Sequence, residues 1–148
     1  MHIKLVKTLD TIKDAWGLLE LHRNELATYK DLMILNPDIE KYKALEDAGK
    51  LFTLALYDEE RIVGYSVFIL TTALHYSDLN IASNDILYVH PDYRKSKWGL
   101  ELINMSERFA KDKGMKMITW HGKENTIFTA LMPKLGYKIQ DITFSKVL

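Results

Sequence analysis

The 148-residue chain has no cysteine, which excludes disulfides, thiolate metal sites and a cysteine nucleophile, and fits a reducing compartment. It also lacks net charge, because twenty Lys plus Arg balance twenty Asp plus Glu. Long-range attraction to nucleic acid or an acidic membrane is therefore not expected, and any positive patch must be local. Nowhere do eighteen apolar residues run together, so no transmembrane helix is expected. The first twenty residues interleave charge with apolar side chains and hold no signal-peptide core, so a cytoplasmic location is the expectation. There is no Walker turn, no dinucleotide glycine fingerprint and no histidine spacing suited to a metal, which argues against nucleotide hydrolysis, dinucleotide binding and a metal site. Repeats, low-complexity runs and linkers are missing as well, and one domain over residues 1–148 is expected, large enough to bury roughly 70% of its unfolded surface.

The most informative stretch runs from Asn84 to Gly114. The apolar run Ile86 to Val89 leads into the basic turn Arg94-Lys95-Ser96-Lys97, and Gly99 then opens an amphipathic helix that closes at Gly114. The first amides of a helix lack intrahelical acceptors and carry the positive end of its dipole, so a strand entering a helix through such a turn is suited to a phosphate. The bland alternative is a solvated basic turn.

Around that stretch, Ile3 and Leu5 suit a short first strand, and Asp10 or Thr11 can cap a helix reaching about Tyr29. Asn36-Pro37 reads as a second helix start, with Gly49 as its stop. Leu51 to Tyr57 and Arg61 to Leu70 flank the polar Asp58-Glu59-Glu60 and predict a β-hairpin. Thr71 to Ser83 has weak periodicity and reads as a loop before a strand at Asp85 to Val89. Met115 to Trp120 follows the Gly99–Gly114 helix as a strand, giving a parallel β-α-β unit. Asn125 starts a helix that Pro133 disturbs and Gly136 stops, and Tyr137 to Leu148 supplies one strand or a broken pair. The expected class is α/β (α+β), a mixed, mostly antiparallel sheet of six or seven strands with helices on both faces.

This order resembles the GNAT superfamily of acyl-CoA-dependent N-acetyltransferases over nearly the whole chain. Leu87 to Arg94 looks like that family's fourth strand and its lead into the pyrophosphate turn. The turn pattern maps onto Arg94, Lys97 and Gly99, with lysine in place of the first glycine. Asn125, Gly136 and Tyr137 fall in the register of the family's later helix. The Leu74-His75-Tyr76, Val89-His90-Pro91 and Trp120-His121-Gly122-Lys123 segments also look like acetyltransferase-like proteins of tailed phages.

The resemblance implies acetyl-CoA as cosubstrate, lying where the fourth and fifth strands splay apart. Its pyrophosphate would rest on the amides of Lys95, Ser96, Lys97, Trp98, Gly99 and Leu100, beside the Arg94 cation. Trp98 either covers the cosubstrate or packs, and packing is the simpler role. Asn125 either caps its helix or touches the pantetheine arm, or both. The resemblance also implies direct attack by an amine acceptor in a ternary complex, with the Val89 amide holding the developing oxyanion. The family's thiolate-stabilising tyrosine is Met132 here, so Tyr88, Tyr137 or unaided departure must serve. Candidate bases are Asp85, His75 and His121. Asp85 shares strand parity with Leu87 and Val89, which would point all three to one face. Glu25, Tyr29 and Tyr42 would wall the acceptor pocket. Open alternatives are a non-catalytic acyl-CoA-binding or interaction module on the same fold, and a homodimer.

Overall fold

A computed structural model describes all residues, Met1–Leu148. Its elements follow the order β1 (His2–Val6), α1 (Thr8–Asp14), α2 (Trp16–Leu26), α3 (Ile39–Asp47), β2 (Leu51–Asp58), β3 (Arg61–Ala73), β4 (Tyr76–Val89), α4 (Trp98–Asp112), β5 (Met117–Thr119) and α5 (Ile127–Leu131). The sheet has five strands in sequence order, not six or seven. β1 to β4 pair antiparallel, and β5 alone runs parallel to its neighbour β4. No helix is long and apolar enough to cross a membrane.

Side chains alternate across β2 and β3, so each strand feeds two cores. On one face Ala55, Tyr65 and Tyr88 pack with Ala15, Leu18 and Leu19 of the first helices. On the other, Phe52, Leu54, Phe68 and Ala82 meet Leu102 and Ala110 of α4. Ser66 and Ser106, both fully buried, bond to each other at 3.0 Å and bring α4 close to the sheet.

Four local expectations change. The first expected helix is two, divided at Ala15, whose φ of −111° leaves the helical range. The break lets Thr8 and Thr11, then Leu18 and Leu19, all bury against the sheet. Its start is fixed neither by Asp10 nor by Thr11. Instead Glu46 of α3 accepts from the Thr8 amide at 2.7 Å and from its hydroxyl at 2.9 Å. The next helix is capped by Asp38, which accepts from the Lys41 amide, rather than by Asn36.

The expected loop at Thr71 to Ser83 is a hairpin extension, with Thr71 opposite Ile81 and Thr72 opposite Asn80. Its tip is open on both faces, Leu74 being fully exposed and Tyr76 68% exposed, so no apolar alternation marks it in sequence. His75 lies at this tip. β4 carries the chain from there to Val89 over 14 residues, a separation of roughly 40 Å at about 3.3 Å per residue. His75 is thereby removed as a base.

The expected strand at Met115 to Trp120 is only Met117–Thr119. Tyr137 to Leu148 forms no strand at all. Asn125 is not the helix cap: it takes a left-handed φ of 59°, and Thr126 caps α5 through a reciprocal bond with Thr129. Pro133 falls in a 3-10 turn, Met132–Leu135, that continues α5 and ends at Gly136 with φ 89°. Met132 is buried and fills core.

Candidate active site

The site grows from a mismatch in strand length. β5 pairs with β4 only at Ile81–Ser83, whereas β4 continues to Val89. Beyond Ser83 the outer edge of β4 faces no strand, and the sheet opens there. The opening is sharpened by a bulge: Val67 pairs with Ile86, but Phe68 pairs with Asn84, leaving Asp85 as the extra residue. Asn84, 1% exposed, stabilises the bulge by donating its side-chain amide to the carbonyls of Val67 (3.2 Å) and Ile86 (3.0 Å).

The bulge overturns the parity reading of Asp85. Leu87 and Val89 pack toward α4, whereas the Asp85 carboxylate accepts a hydrogen bond from Tyr42 of α3 at 2.8 Å, among the helices of the other face. Burial pushes the Tyr42 phenol well above its ordinary range, and the Asp85 charge adds to this.

At the end of β4 the His90 amide donates to Val63 on β3. Successive amides of a strand point to opposite neighbours, so the Val89 amide points to the unpaired edge. A short 3-10 turn, Pro91–Tyr93, follows, anchored by the Tyr93 hydroxyl on Asp58 at 2.7 Å. Ser96 then donates to the Tyr93 carbonyl (2.6 Å) and accepts from the Trp98 amide (3.3 Å). The first ladder bond of α4 is Glu101 to Lys97. The amides of Lys95, Lys97, Gly99 and Leu100 donate to no acceptor in the protein. Lys97 has φ −66°, which a residue with a β-carbon adopts freely, so lysine in the glycine position does not strain the turn. A β-carbon on Gly99 would meet nothing within 4 Å, leaving clear space in front of these donors.

Side chains of the turn divide into two sets. Lys95, Ser96 and Lys97 are exposed. Trp98 is half-buried, with the Lys97 ammonium 5.4 Å from its ring centre. Arg94 turns the other way, toward α2. Its Nε donates to the Val89 carbonyl at 2.8 Å, and its two terminal nitrogens reach Glu25 at 2.6 and 2.7 Å. That guanidinium is thus bound to a carboxylate and not directed at the open amides.

Glu25 belongs to a network. It also accepts from the Tyr88 hydroxyl at 2.6 Å. The Arg94 hydrogen bond holds its carboxyl below the usual range. His22, one helical turn earlier, stacks on Tyr88 at 4.6 Å and pairs with the Tyr65 hydroxyl at 2.8 Å. Burial, with the Glu25 bond, pushes the Tyr88 phenol up to about 12, so this hydroxyl is a weak acid already committed to a carboxylate. Tyr137 is engaged too, accepting from Trp120 Nε1 at 2.9 Å and donating to Glu107. His121 and Asn125 are exposed in the segment between β5 and α5. No three His, Asp or Glu side chains are arranged to hold a metal.

Sequence reasoning missed His22, Asn84 and Glu107. His22 and Glu25 share a helix face at i, i+3 spacing, which is the one signal that links them. Nothing local marks Asn84.

The His22 imidazole is lowered to about 4, by burial first, with Arg94 and Lys123 adding to the Glu25-opposed balance. In the unfolded chain it titrates near 6.5. Between those values the unfolded state binds the extra proton, so stability is full above about pH 6.5 and falls as pH drops toward 4. This one group contributes a loss of about 3 kcal/mol across the window. Denaturant titrations at pH 7 and pH 4.5 check it: His22→Phe should flatten the difference, and an unaltered difference would exclude His22 as its source.

No curated protein matches the chain in sequence. Solved structures share its fold. An aminoglycoside acetyltransferase from an uncultured soil metagenomic sample, in complex with trehalose, superposes with a TM-score of 0.76 at 16% identity, covering 99% of this chain and 95% of that one. A ribosomal-protein-alanine N-acetyltransferase from Brucella melitensis biovar Abortus 2308 gives 0.70 at 16% identity, covering 100% and 99%. An aminoglycoside N-acetyltransferase in complex with CoA gives 0.70 at 14% identity, covering 99% of each chain. With an open β4 edge and a donor-lined turn at the start of α4, the pattern of the acetyltransferase (GNAT) family matches residues 15–137, and the chain belongs to that family.

Proposed function

We propose that this single-domain protein, residues 1–148, is an N-acetyltransferase that moves an acetyl group from acetyl-CoA to a primary amine by direct attack in a ternary complex. Members of the family use acetyl-CoA as cosubstrate. The observation that carries the proposal is the set of four undonated amides, Lys95, Lys97, Gly99 and Leu100, with open space before Gly99. Main-chain donors at a helix start bind a diphosphate without rearranging, and the unpaired Lys95 and Lys97 ammoniums add attraction.

The acyl thioester supplies an activated carbonyl. Val89 donates its amide at the unpaired edge of β4, where charge develops on the carbonyl oxygen. Asp85, oriented by Tyr42, takes the amine's proton through water as the new C–N bond forms. The C–S bond breaks without a protein acid, since Met132 has no proton and the Tyr88 and Tyr137 hydroxyls are engaged. A thiol with a pKa near 8.5 leaves as thiolate unaided. His121, the other candidate base, and Asn125, the candidate pantetheine contact, are both exposed in the β5–α5 segment and take no step in this scheme.

Release of free thiol in the presence of a panel of primary amines tests the reading. Asp85→Asn should lower kcat by about 100-fold with acetyl-CoA affinity within twofold; unchanged turnover removes Asp85 from the mechanism. The second reading, an acyl-CoA-binding module without turnover, is favoured by Met132 and the two engaged hydroxyls. Binding of acetyl-CoA with no acceptor ever consumed would select it.

A further inference from the structure

The Val89 amide at the free edge of β4 and the donor amides of the turn serve two ends of one cosubstrate, so their separation matters. The side chain that ties them together is Arg94. It opens the turn and folds back on the strand: its Nε donates to the Val89 carbonyl at 2.8 Å, and its guanidinium lies 5.0 Å over the Tyr88 ring. These contacts flank the Val89 amide, one on the residue before it and one on the carbonyl of Val89 itself.

Glu25 governs both. Its two carboxylate oxygens take the two terminal nitrogens of Arg94 at 2.6 and 2.7 Å, and Oε2 also accepts from the Tyr88 hydroxyl at 2.6 Å. One carboxylate on α2 thus holds the last two residues of β4 and the first residue of the turn. A fork of two donors on two oxygens fixes direction as well as distance, which a point charge cannot do.

The same contacts do little for the fold. The Arg94 and Glu25 side chains are 36% and 35% exposed, and an ion pair so open to water contributes little to stability. α2 is anchored without it, by Leu18 and Leu19 in the core and by the Lys123 ammonium on Thr28 at 2.7 Å. What the carboxylate does supply is geometry, and a misplacement of about 1 Å near a reacting centre can slow catalysis about 100-fold.

Resting on the acetyl-transfer reading, we propose that Glu25 is a positioning residue: through Arg94 and Tyr88 it sets the Val89 amide at a fixed place relative to the pyrophosphate-binding amides, without acting on the reacting atoms itself.

Glu25→Gln keeps the side-chain shape and breaks the fork. It should lower kcat about tenfold, with acetyl-CoA affinity within about twofold and Tm within about 4 °C of wild type. Arg94→Lys keeps the charge and should show the same split between kcat and affinity, and the double variant should be no slower than the slower single, because both cut one link. Amide resonances give a readout that needs no turnover. Acetyl-CoA carries a thioester carbonyl that CoA lacks, so in the wild type the Gly99 amide should move with either ligand and the Val89 amide further with acetyl-CoA. In Glu25→Gln the Gly99 response should persist and the extra Val89 response should vanish. Wild-type kcat in Glu25→Gln, additive losses in the double variant, affinity or Tm falling in step with kcat, or an extra Val89 response retained in the variant would each overturn the positioning role and leave acetyl transfer standing. A wild type that binds acetyl-CoA but acetylates no amine would overturn the transfer reading instead, and the Val89 response then decides positioning alone. A Val89 amide that never distinguishes the two ligands, or a Gly99 amide that moves with neither, would overturn both.

Discussion

Gly99→Glu is expected to abolish measurable acetyl-CoA binding while leaving the circular dichroism spectrum unchanged. The fold tolerates the change because a β-carbon at this position meets no atom within 4 Å, and a carboxylate in the first turn of a helix is favourable to its dipole. The same carboxylate occupies the space before the free amides of Lys97, Gly99 and Leu100. A like charge at about 4 Å from a phosphate costs roughly 4 kcal/mol at the effective dielectric of a protein surface, close to a thousandfold in affinity. Titration calorimetry checks this. Wild-type affinity in the variant would show that the pyrophosphate does not lie on this turn.

The second large effect is on stability. Phe68 is fully buried, stacks on Phe52 at 5.1 Å and meets the edge of Trp120 at 4.8 Å. It also stands opposite Asn84 at the bulge. Phe68→Ala removes a ring from a site walled by other rings, so the void cannot close, and a loss of about 3–5 kcal/mol follows. Against a total of roughly 5–15 kcal/mol, that lowers Tm by about 10 °C. A thermal melt with a matching urea titration measures it. A loss below about 1 kcal/mol would mean that the core refills from elsewhere.

What could be read from sequence follows the reach of each interaction. The β2–β3 hairpin announces itself because both strands are buried and their turn is short and polar. The turn before α4 was equally visible, since its strand, basic residues and glycine are contiguous. The direction of Arg94 is illegible for the opposite reason: its carboxylate partner lies 69 residues away, and its neighbours in the basic turn point only to a phosphate. The face of Asp85 escapes period-two reasoning because that reasoning assumes an uninterrupted ladder, and one inserted residue inverts it. The capping of α5 by Thr126, one residue beyond Asn125, and the Glu46 cap on Thr8 show the same division between local and distant signals. Residues 138–148 have strand propensity without a strand, because a strand exists only with a neighbour to pair with.

The bulge that shapes the opening is held by Asn84, a side chain with no proton to gain or lose. The curvature of β4 is therefore indifferent to acidity, unlike the His22 cluster beside it. Above about pH 6.5, where the His22 cluster no longer takes up protons in either state, a step in the rate against pH then records protons moving on reacting groups, and not a cleft changing its shape.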